Sequence, residues 1–384
     1  MFGKFLLGAG LLAGTIIGAG VFILPFVFAQ AGVLTGLAYL VLFTWLVFAV
    51  HAMYADVVAR TEGDHRLVGF SGLYLGVWGR RIALVVNFIG LLLALVAYLI
   101  LGGRFARLIW PLPIGSLVFI FWALGTLMIF WKIRRLALGE LLATISMILL
   151  IVLLVSSSFA RNDLSLLLDF SRFGLPLVSL PNIFLPYGAI LFALWGRTAI
   201  PPLVRMLKGK VSADLLKKTI LAGVFVSALV YLFFVFGVLN YSVRLPITED
   251  ALSGLLTVLP AGLVWLIGLL GLLALFTSYA VIGRNIYQGL TLDVKANKLV
   301  AGLGVALIPM LIYLAGFRSL ISLVGVVGGI FIAAEGILIP LIWLKASKRN
   351  AEQALIKHLP SVLPYFLMAV FIGGIVYQFI YSAS

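Results

Sequence analysis

Apolar runs of membrane-spanning length recur along the whole sequence and constrain its fold more than any other feature. A helix needs about 20 apolar residues to cross a bilayer core of roughly 30 Å. We count about eleven such runs: 5–31, 33–59, 82–108, 114–131, 138–159, 182–204, 217–240, 257–284, 299–317, 319–344 and 361–382. The sequence therefore predicts an all-α integral membrane protein, a multi-pass protein of the cell (inner or plasma) membrane.

Composition excludes the other broad classes. Hydrophobic residues make up 64% of the chain and charged residues only 10%, whereas about a quarter of the residues in a soluble domain are charged. A membrane β-barrel would show alternating segments of about ten residues. The net charge of +15 would suggest nucleic acid in a soluble protein. Here the basic residues lie in short loops, so we expect a lipid bilayer and no nucleic acid as partner.

The basic residues also predict the orientation, because Lys and Arg concentrate in cytoplasmic loops. With the N-terminus in the cytoplasm, most of them fall on the inside. The inside residues are Lys4, Arg60, Arg66, Arg80, Arg81, Lys132, Arg134, Arg135, Arg205, Lys208, Lys210, Lys217, Lys218, Lys295, Lys298, Lys345, Lys348, Arg349 and Lys357. The outside residues are Arg104, Arg107, Arg161, Arg172, Arg244 and Arg318. The segment 66–79 is too short to span and predicts an amphipathic segment at the cytoplasmic face.

The first apolar run contains features that interrupt a helix. The stretch GTIIGAGVFILP, residues 14–25, holds Gly14, Gly18, Gly20 and Pro25. Glycine weakens a helix and proline removes a hydrogen bond. In hydrocarbon each freed N–H or C=O group needs a polar partner, so a break here predicts a bound polar ligand. The alternative is that the glycines allow close packing of helices.

The sixth run repeats this pattern. LPYGAILFALWGRTAIPPLV, residues 185–204, contains Gly196 and Arg197, followed by Pro201 and Pro202. The first and sixth runs occupy corresponding positions in two halves of five spans, and an odd number of spans makes the halves inverted. Paired interruptions of this kind indicate a binding site at the bilayer midplane of a transporter. We predict a first repeat at 1–159, a second at 160–344 and an additional helix within 345–384.

Four stretches resemble one transporter superfamily. GTIIGAGVFILP resembles the first-helix signature of the amino acid–polyamine–organocation superfamily. FALWGRTAIPPLVRMLKGK (192–210), LFTSYAVIGRNIYQGLTLD (275–293) and VGGIFIAAEGILIPLIWL (327–344) are similar to the sixth, eighth and tenth helices of its amino acid/auxin permease branch, which includes aromatic amino acid permeases. The resemblance covers nearly the whole chain in the expected order.

This resemblance implies a LeuT-type 5+5 inverted repeat with about eleven helices, in which one copy of the chain is sufficient. It implies secondary active transport of an α-amino acid by alternating access. The N–H groups of Gly18, Ala19 and Gly20 would face the substrate carboxylate, and the carbonyls of Ile16, Phe192 and Trp195 its ammonium. Gly196 belongs to the same break, and Tyr98 is a further candidate contact. Phe192 and Trp195 have an alternative role as core or lipid-facing aromatic residues.

The resemblance also suggests a sodium site, and we expect Na⁺ as the coupling ion with no other cofactor. The matching positions are Gly14, Ile17, Ala274, Thr277 and Ser278, which offer carbonyl and hydroxyl oxygens. Thr277 and Ser278 lie on one helix face with Ala274. Their hydroxyls could instead bond back to carbonyls of their own helix.

Proton-coupled symport and amino acid exchange are the alternatives within this fold. Some proton-coupled relatives place a lysine on the fifth helix, and residues 141–159 contain none. A proton or charge relay would then use Asp56 or Glu335, because ionisable residues inside a span are functional candidates. Arg197 could neutralise an acid or a substrate carboxylate, or extend to the inner surface.

Two further protein classes fit the sequence poorly. A membrane enzyme would need clustered acids, histidines or metal ligands, and the three histidines are scattered without an HExxH or phosphate-binding motif. We therefore predict no catalytic residues. A channel would need a continuous pore with weak binding at several sites, whereas two inverted broken helices favour alternating access.

Overall fold

The computed structural model describes residues 2–63, 65–131, 133–161, 176–207, 213–241, 247–251, 253–255, 259–349, 360 and 362–383. Within these ranges the regular structure is entirely helical, with short 3₁₀ and π segments at several helix ends. The α-helices are α1 (Phe2–Ile16), α2 (Leu24–Ala31), α3 (Val33–Arg60), α4 (Leu67–Arg107), α5 (Ile114–Ile129), α6 (Ile133–Arg161), α7 (Pro186–Leu194), α8 (Ile200–Leu207), α9 (Ala213–Tyr241), α10 (Ala261–Gln288), α11 (Lys298–Leu314), α12 (Leu320–Val326), α13 (Ala333–Arg349) and α14 (Leu363–Ala383).

The helices agree with the predicted membrane spans. In the described part of the chain, seven helical segments and one bent pair are long and apolar enough to cross a membrane. Three shorter apolar helices, Ile114–Ile129, Thr144–Ser157 and Lys298–Leu314, lie within the fourth, fifth and ninth predicted runs. The prediction of an all-α multi-pass membrane protein is confirmed.

Large apolar side chains on the outside of the bundle fit a lipid environment. On α3, Val41 is 62% exposed and Trp45 is 58% exposed. The exposed apolar residues continue on α5, α9, α11 and α14, for example at Phe119, Phe233 and Leu311. In water such extensive apolar surface would promote association, whereas in a bilayer it faces acyl chains.

The segment predicted to lie at the membrane surface forms the first turns of α4. Helix α4, from Leu67 to Arg107, consists of two helical parts joined at a kink and includes both the amphipathic segment and the third span. Gly76 interrupts its geometry with φ 73° and ψ −161°, a conformation that L side chains rarely adopt. The turns before Gly76 bury Leu67, Val68 and Phe70, while Val77 and Trp78 are exposed. The kink at Gly76 therefore separates a short packed segment from the third span.

The two interrupted helices pack against each other in the interior. Helix α1 contacts α8 and α9, and α2 contacts α7 and α9. Helix α7 also packs closely on the π segment Val327–Ile332 that joins α12 to α13. A Cβ atom added at Gly188 of α7 would lie 3.1 Å from the backbone nitrogen of Gly329, and one added at Gly328 would lie 1.8 Å from the carbonyl oxygen of Gly188. Glycine therefore allows the backbones of these two segments to meet.

The division into two inverted repeats at 1–159 and 160–344 stays a prediction; α6 ends two residues after the first bound, at Arg161, and α13 ends five residues after the second, at Arg349. We refer to the end of the bundle at which α1 begins as the N-terminal face, and to the other end as the opposite face.

Some of the basic residues from which the membrane orientation is predicted lie outside the described residues, namely Lys132, Arg172, Lys208, Lys210, Arg244 and Lys357.

Candidate functional site

The first span is broken at the predicted position. Helix α1 ends at Ile16, and Gly18 takes an extended conformation with φ −135° and ψ −154°. A 3₁₀ segment, Ala19–Ile23, then leads into α2. Its first turn forms when the N–H of Val21 donates to the Gly18 carbonyl at 3.2 Å. The two parts of the span are bent by 52°, so backbone groups at the break are turned out of the helix axis.

The sixth span is broken at Trp195 and Gly196. Helix α7 ends at Leu194, and Trp195 is extended with φ −80° and ψ 106°. A 3₁₀ turn, Arg197–Ala199, precedes α8. Pro201 and Pro202 lie in the first turn of α8, where the missing N–H of proline has no helical partner to lose. The prolines therefore begin the second half-helix, and the break itself lies at Trp195 and Gly196.

Tyr231 of α9 connects the two breaks. Its hydroxyl lies 2.6 Å from the carbonyl oxygen of Ile16 and 2.8 Å from that of Ala193, so the two carbonyls share its single donor hydrogen. The side chain is fully buried. These carbonyls belong to the last turns before each break, where helical partners are lost. Tyr231 was not predicted from the sequence, although a hydroxyl in the middle of an apolar span needs a partner and is therefore a usable signal.

The glycines of the first break differ in what they face. A Cβ added at Gly20 would lie 2.6 Å from Cα of Ala193, so glycine here permits direct contact between the two broken helices. A Cβ added at Gly18 would lie 3.1 Å from the Tyr98 hydroxyl. That hydroxyl also accepts a hydrogen bond from the Ala19 N–H at 3.4 Å. Close packing against backbone thus explains Gly20, whereas the nearest neighbour of Gly18 is the end of the Tyr98 side chain.

A cavity of about 130 Å³ lies between the two breaks. Seven of the eight residues expected to bind substrate line it: Ile16, Gly18, Ala19, Gly20, Tyr98, Phe192 and Trp195. Gly196, the eighth, lies outside the lining, and a Cβ added there would be 2.5 Å from the Ile16 side chain. Gly196 therefore allows α1 to pack against the second break. Helices α4 and α10 and the π segment of residues 327–332 complete the wall.

A buried ion pair forms part of this wall. Arg197 donates from Nε to Oε2 of Glu335 at 2.7 Å and from Nη2 to Oε1 at 2.8 Å, which is a bidentate arrangement. Trp195 Nε1 donates to Glu335 Oε2 at 2.7 Å, and Arg197 Nη2 also donates to Asn87 Oδ1 at 2.7 Å. Arg197 therefore neutralises an acidic residue and does not extend to the inner surface. Asn87 was not predicted from the sequence.

Asp56 belongs to a second buried ion pair, which likewise joins a carboxylate to an arginine. It forms an ion pair with Arg60, one helical turn further along α3, and accepts a hydrogen bond from Trp343 Nε1 at 2.7 Å. Both charged side chains are almost completely buried. Neither Asp56 nor Arg60 is among the described residues that line the cavity. Of the three relay candidates, Arg197 and Glu335 meet at the cavity, while Asp56 lies apart from them.

The residues expected to hold Na⁺ lie along the side of the cavity. Gly14 and Ser278 line it, whereas Ile17, Ala274 and Thr277 are buried and are not among its lining residues. The Thr277 hydroxyl bonds back to its own helix, as the alternative prediction states, and its single hydrogen is shared by the carbonyls of Leu273 at 3.1 Å and Ala274 at 3.0 Å. A hydroxyl that donates in this way keeps its lone pairs for a cation.

Thr144 of α6 stands beside this group of oxygen atoms. Its Oγ1 would be 2.8 Å from a Cβ added at Gly14. Helix α6 packs extensively against α10, which carries Thr277 and Ser278. A neutral hydroxyl therefore occupies the position on the fifth span that faces Gly14.

A second cavity of about 460 Å³ continues from the first toward the N-terminal face. The two share Thr15, Arg197, Thr198, Val281 and Asn285 as lining residues. At its outer part Arg66 donates to Asn285 Oδ1 at 2.7 Å and to Gln288 Oε1 at 2.8 Å. We call this space the vestibule.

Toward the opposite face the path is closed. Phe22 of the first break packs against Phe105 and Phe234, with ring centroids 4.6 Å and 5.8 Å apart. Further out, Arg104 pairs with Glu249 at 3.1 Å and with Asp250 at 3.5 Å. In the described part of the chain, the cavity between the breaks is therefore accessible from one side.

Comparisons with known proteins agree with this architecture. A family model described as transmembrane amino acid transporter protein matches residues 3–382. A crystal structure of MhsT in complex with L-phenylalanine superposes with a TM-score of 0.67, covering 98% of this chain and 97% of that chain at 14% identity. None of the curated proteins matches significantly. At this identity the structural match concerns the fold, and it confirms the predicted LeuT-type architecture.

Proposed function

This chain belongs to the transmembrane amino acid transporter family, in the superfamily that its sequence resembles, and on that premise we propose that it is a secondary active transporter that carries an α-amino acid by alternating access. It is a membrane transporter and not an enzyme. One observation carries the proposal. A cavity bounded by both helix breaks continues into a vestibule at one face, while the path to the other face is closed.

The backbone at the breaks suits the groups that all α-amino acids share. The N–H groups at the start of the segment Ala19–Ile23 have no preceding helical turn, and helix N-termini attract carboxylates. The Ala19 N–H donates to the Tyr98 hydroxyl at 3.4 Å, a long contact that a substrate carboxylate can replace. The carbonyls of Phe192 and Trp195 can accept hydrogen bonds from the ammonium. The Ile16 carbonyl already accepts from Tyr231, but a carbonyl oxygen has a second lone pair. The L-phenylalanine in the MhsT complex supports an amino acid ligand for this fold.

The positive-inside rule assigns the N-terminal face to the cytoplasm. The described conformation would then be open to the cytoplasm and closed to the outside. Transport would require the reverse state, in which the pairing of Arg104 with Glu249 and Asp250 separates and the vestibule closes. Both changes are movements of packed helices about the two breaks, which is the usual basis of alternating access.

We propose Na⁺ as the coupling ion, held by Gly14, Ile17, Ala274, Thr277 and Ser278. Carbonyl and hydroxyl oxygens are suitable ligands for a hard cation. Two of these residues border the cavity and Thr144 adds a hydroxyl beside Gly14. A cation bound in this place would join α1 to α10. Substrate and Na⁺ would then increase each other's affinity equally, because coupling between two sites is reciprocal.

Proton coupling is the second candidate, and the position of Glu335 at the cavity wall favours it. Uptake of radiolabelled amino acids by proteoliposomes separates the possibilities. The proposal predicts accumulation driven by an inward Na⁺ gradient and not by choline at equal pH. Accumulation driven only by an inward proton gradient would favour the proton mechanism. Counterflow without accumulation under either gradient would indicate exchange.

A further inference from the structure

The charged side chains at the cavity balance each other. Among the described lining residues, Arg197 and Glu335 are the ones that carry a charge. Their bidentate contact joins both carboxylate oxygens to the guanidinium. The cavity therefore contains one positive and one negative group, and its net charge is zero. Neither group is free to pair with a charge on the ligand.

The hydrogen-bond partners hold this pair in one arrangement. The carboxylate of Glu335 also accepts from Trp195 Nε1, and the guanidinium of Arg197 also donates to Asn87. Both charged side chains are 7% exposed. A ligand that carried a further charge would have to break this network and would leave one buried partner without a counter-charge, which is strongly unfavourable.

Neutral polar residues near the pair are Asn87, Thr198 and Asn285, and much of the remaining wall is apolar. Helix α4 contributes Leu91 and Ala94, and the π segment contributes Val327, Phe331 and Ile332. Gly90 allows these two elements to approach, since a Cβ added there would lie 2.8 Å from Cβ of Phe331. A side chain extending from the breaks toward α4 would therefore meet hydrocarbon beside a closed ion pair.

We propose that the substrates are amino acids with neutral side chains and that the Arg197–Glu335 pair sets this selectivity. The inference rests on the proposed function and adds its substrate class. An acidic substrate side chain is repelled by Glu335, and a basic one is repelled by Arg197. Neither can pair with the residue of opposite charge unless the Arg197–Glu335 ion pair separates. Specificity of this kind depends on what a site rejects as much as on what it binds.

Removing one member of the pair should convert the selectivity. In Glu335→Gln the guanidinium of Arg197 has lost its carboxylate and becomes available to an acidic side chain. In Arg197→Gln the carboxylate of Glu335 becomes available to a basic side chain. Arg197 also borders the vestibule, so the exposed charge can be reached by a ligand from that side.

The chain contains a matched control. Asp56, Arg60 and Trp343 repeat the same combination of carboxylate, guanidinium and indole N–H, but they are not among the described lining residues. Asp56→Asn therefore removes a buried carboxylate of the same kind away from the cavity. Its effect on folding should be comparable, and the ratio of affinities for neutral, acidic and basic ligands should stay at the wild-type value.

The test is competition by the twenty amino acids against the tightest neutral ligand, measured on purified protein. Wild type should bind neutral amino acids at least about tenfold more tightly than aspartate, glutamate, lysine or arginine. Glu335→Gln should improve relative binding of acidic ligands at least about tenfold, and Arg197→Gln that of basic ligands. The double variant Arg197→Gln/Glu335→Gln should again prefer neutral ligands.

Each outcome decides the inference. If wild type binds charged and neutral amino acids equally, the proposed selectivity is wrong, but amino acid transport is not contradicted. If wild type binds no amino acid, both the selectivity and the proposed function are wrong. If the single variants do not fold, the wild-type panel and the double variant decide. A double variant that accepts charged ligands would overturn the claim that a balanced cavity excludes them. Single variants that fold but keep wild-type selectivity would also overturn it.

Discussion

Replacing Gly20 by alanine tests the contact between the two broken helices. A methyl group at this position would lie 2.6 Å from Cα and 2.9 Å from Cβ of Ala193. The nearest atom belongs to the backbone, so a rotamer change cannot relieve the contact. Overpacking of a buried site is destabilising by about 1–3 kcal/mol, and we expect the upper end of that range here.

The matched control is Gly18→Ala, two residues earlier in the same break. Its methyl group would meet the Tyr98 hydroxyl at 3.1 Å, and that contact lies at the end of a side chain at the cavity wall. A shift of a few tenths of an ångström is sufficient there. We expect little change in stability and a loss of substrate affinity of roughly tenfold, the size expected for one misplaced methyl group.

The two variants are compared by thermal unfolding in detergent at one scan rate and by substrate binding to the folded fraction. Gly20→Ala should lower the apparent melting temperature more than Gly18→Ala. Adding Ala193→Gly to Gly20→Ala should restore stability only in part, because the contact with the Ala193 Cα remains. The reasoning is refuted if Gly20→Ala melts like wild type, or if Gly18→Ala is the more destabilised variant.

Three other substitutions test the remaining parts of the site. Tyr231→Phe removes the donor shared by the Ile16 and Ala193 carbonyls; we expect about 1–3 kcal/mol of lost stability, measured by thermal unfolding, and unchanged stability would contradict the role of Tyr231 in joining the breaks. Trp195→Ala should change apparent affinity for large side chains more than for glycine or alanine, and equal losses for all sizes in a binding panel would mean that Trp195 supports the fold instead of the pocket. Thr277→Ala with Ser278→Ala should abolish the effect of Na⁺ on substrate affinity measured in NaCl against choline chloride at fixed pH, and a wild-type protein without any Na⁺ effect would contradict the sodium site itself.

Local sequence was sufficient to predict the two breaks. Gly18 and Gly196 lie inside otherwise apolar runs, where an interrupted hydrogen-bond ladder is unfavourable without a specific reason. Their positions in the first and sixth runs then predicted a shared central site. Pro201 and Pro202 carried less information than expected, because they begin α8 and do not form the break.

Contacts between distant residues were beyond local reasoning. Arg197 and Glu335 are 138 positions apart, and their pairing depends on how the second break meets α13. Tyr231 and Asn87 likewise become part of the site only through helix packing. The pairing of Asp56 with Arg60 was accessible, since residues four apart share a helix face, and considering this spacing would have distinguished Asp56 from the cavity residues.

Alternating access can be tested most directly with a single cysteine at the junction of cavity and vestibule. The chain contains no cysteine, so Thr198→Cys introduces one thiol, at a residue that lines both spaces and is partly exposed. A membrane-impermeant maleimide is applied to inside-out and right-side-out vesicles, with and without substrate. The account predicts labelling from the cytoplasmic side in inside-out vesicles, slower labelling when substrate is present, and little labelling from the outside. Equal labelling from both sides that substrate does not change would contradict it, because that result describes a continuous pore.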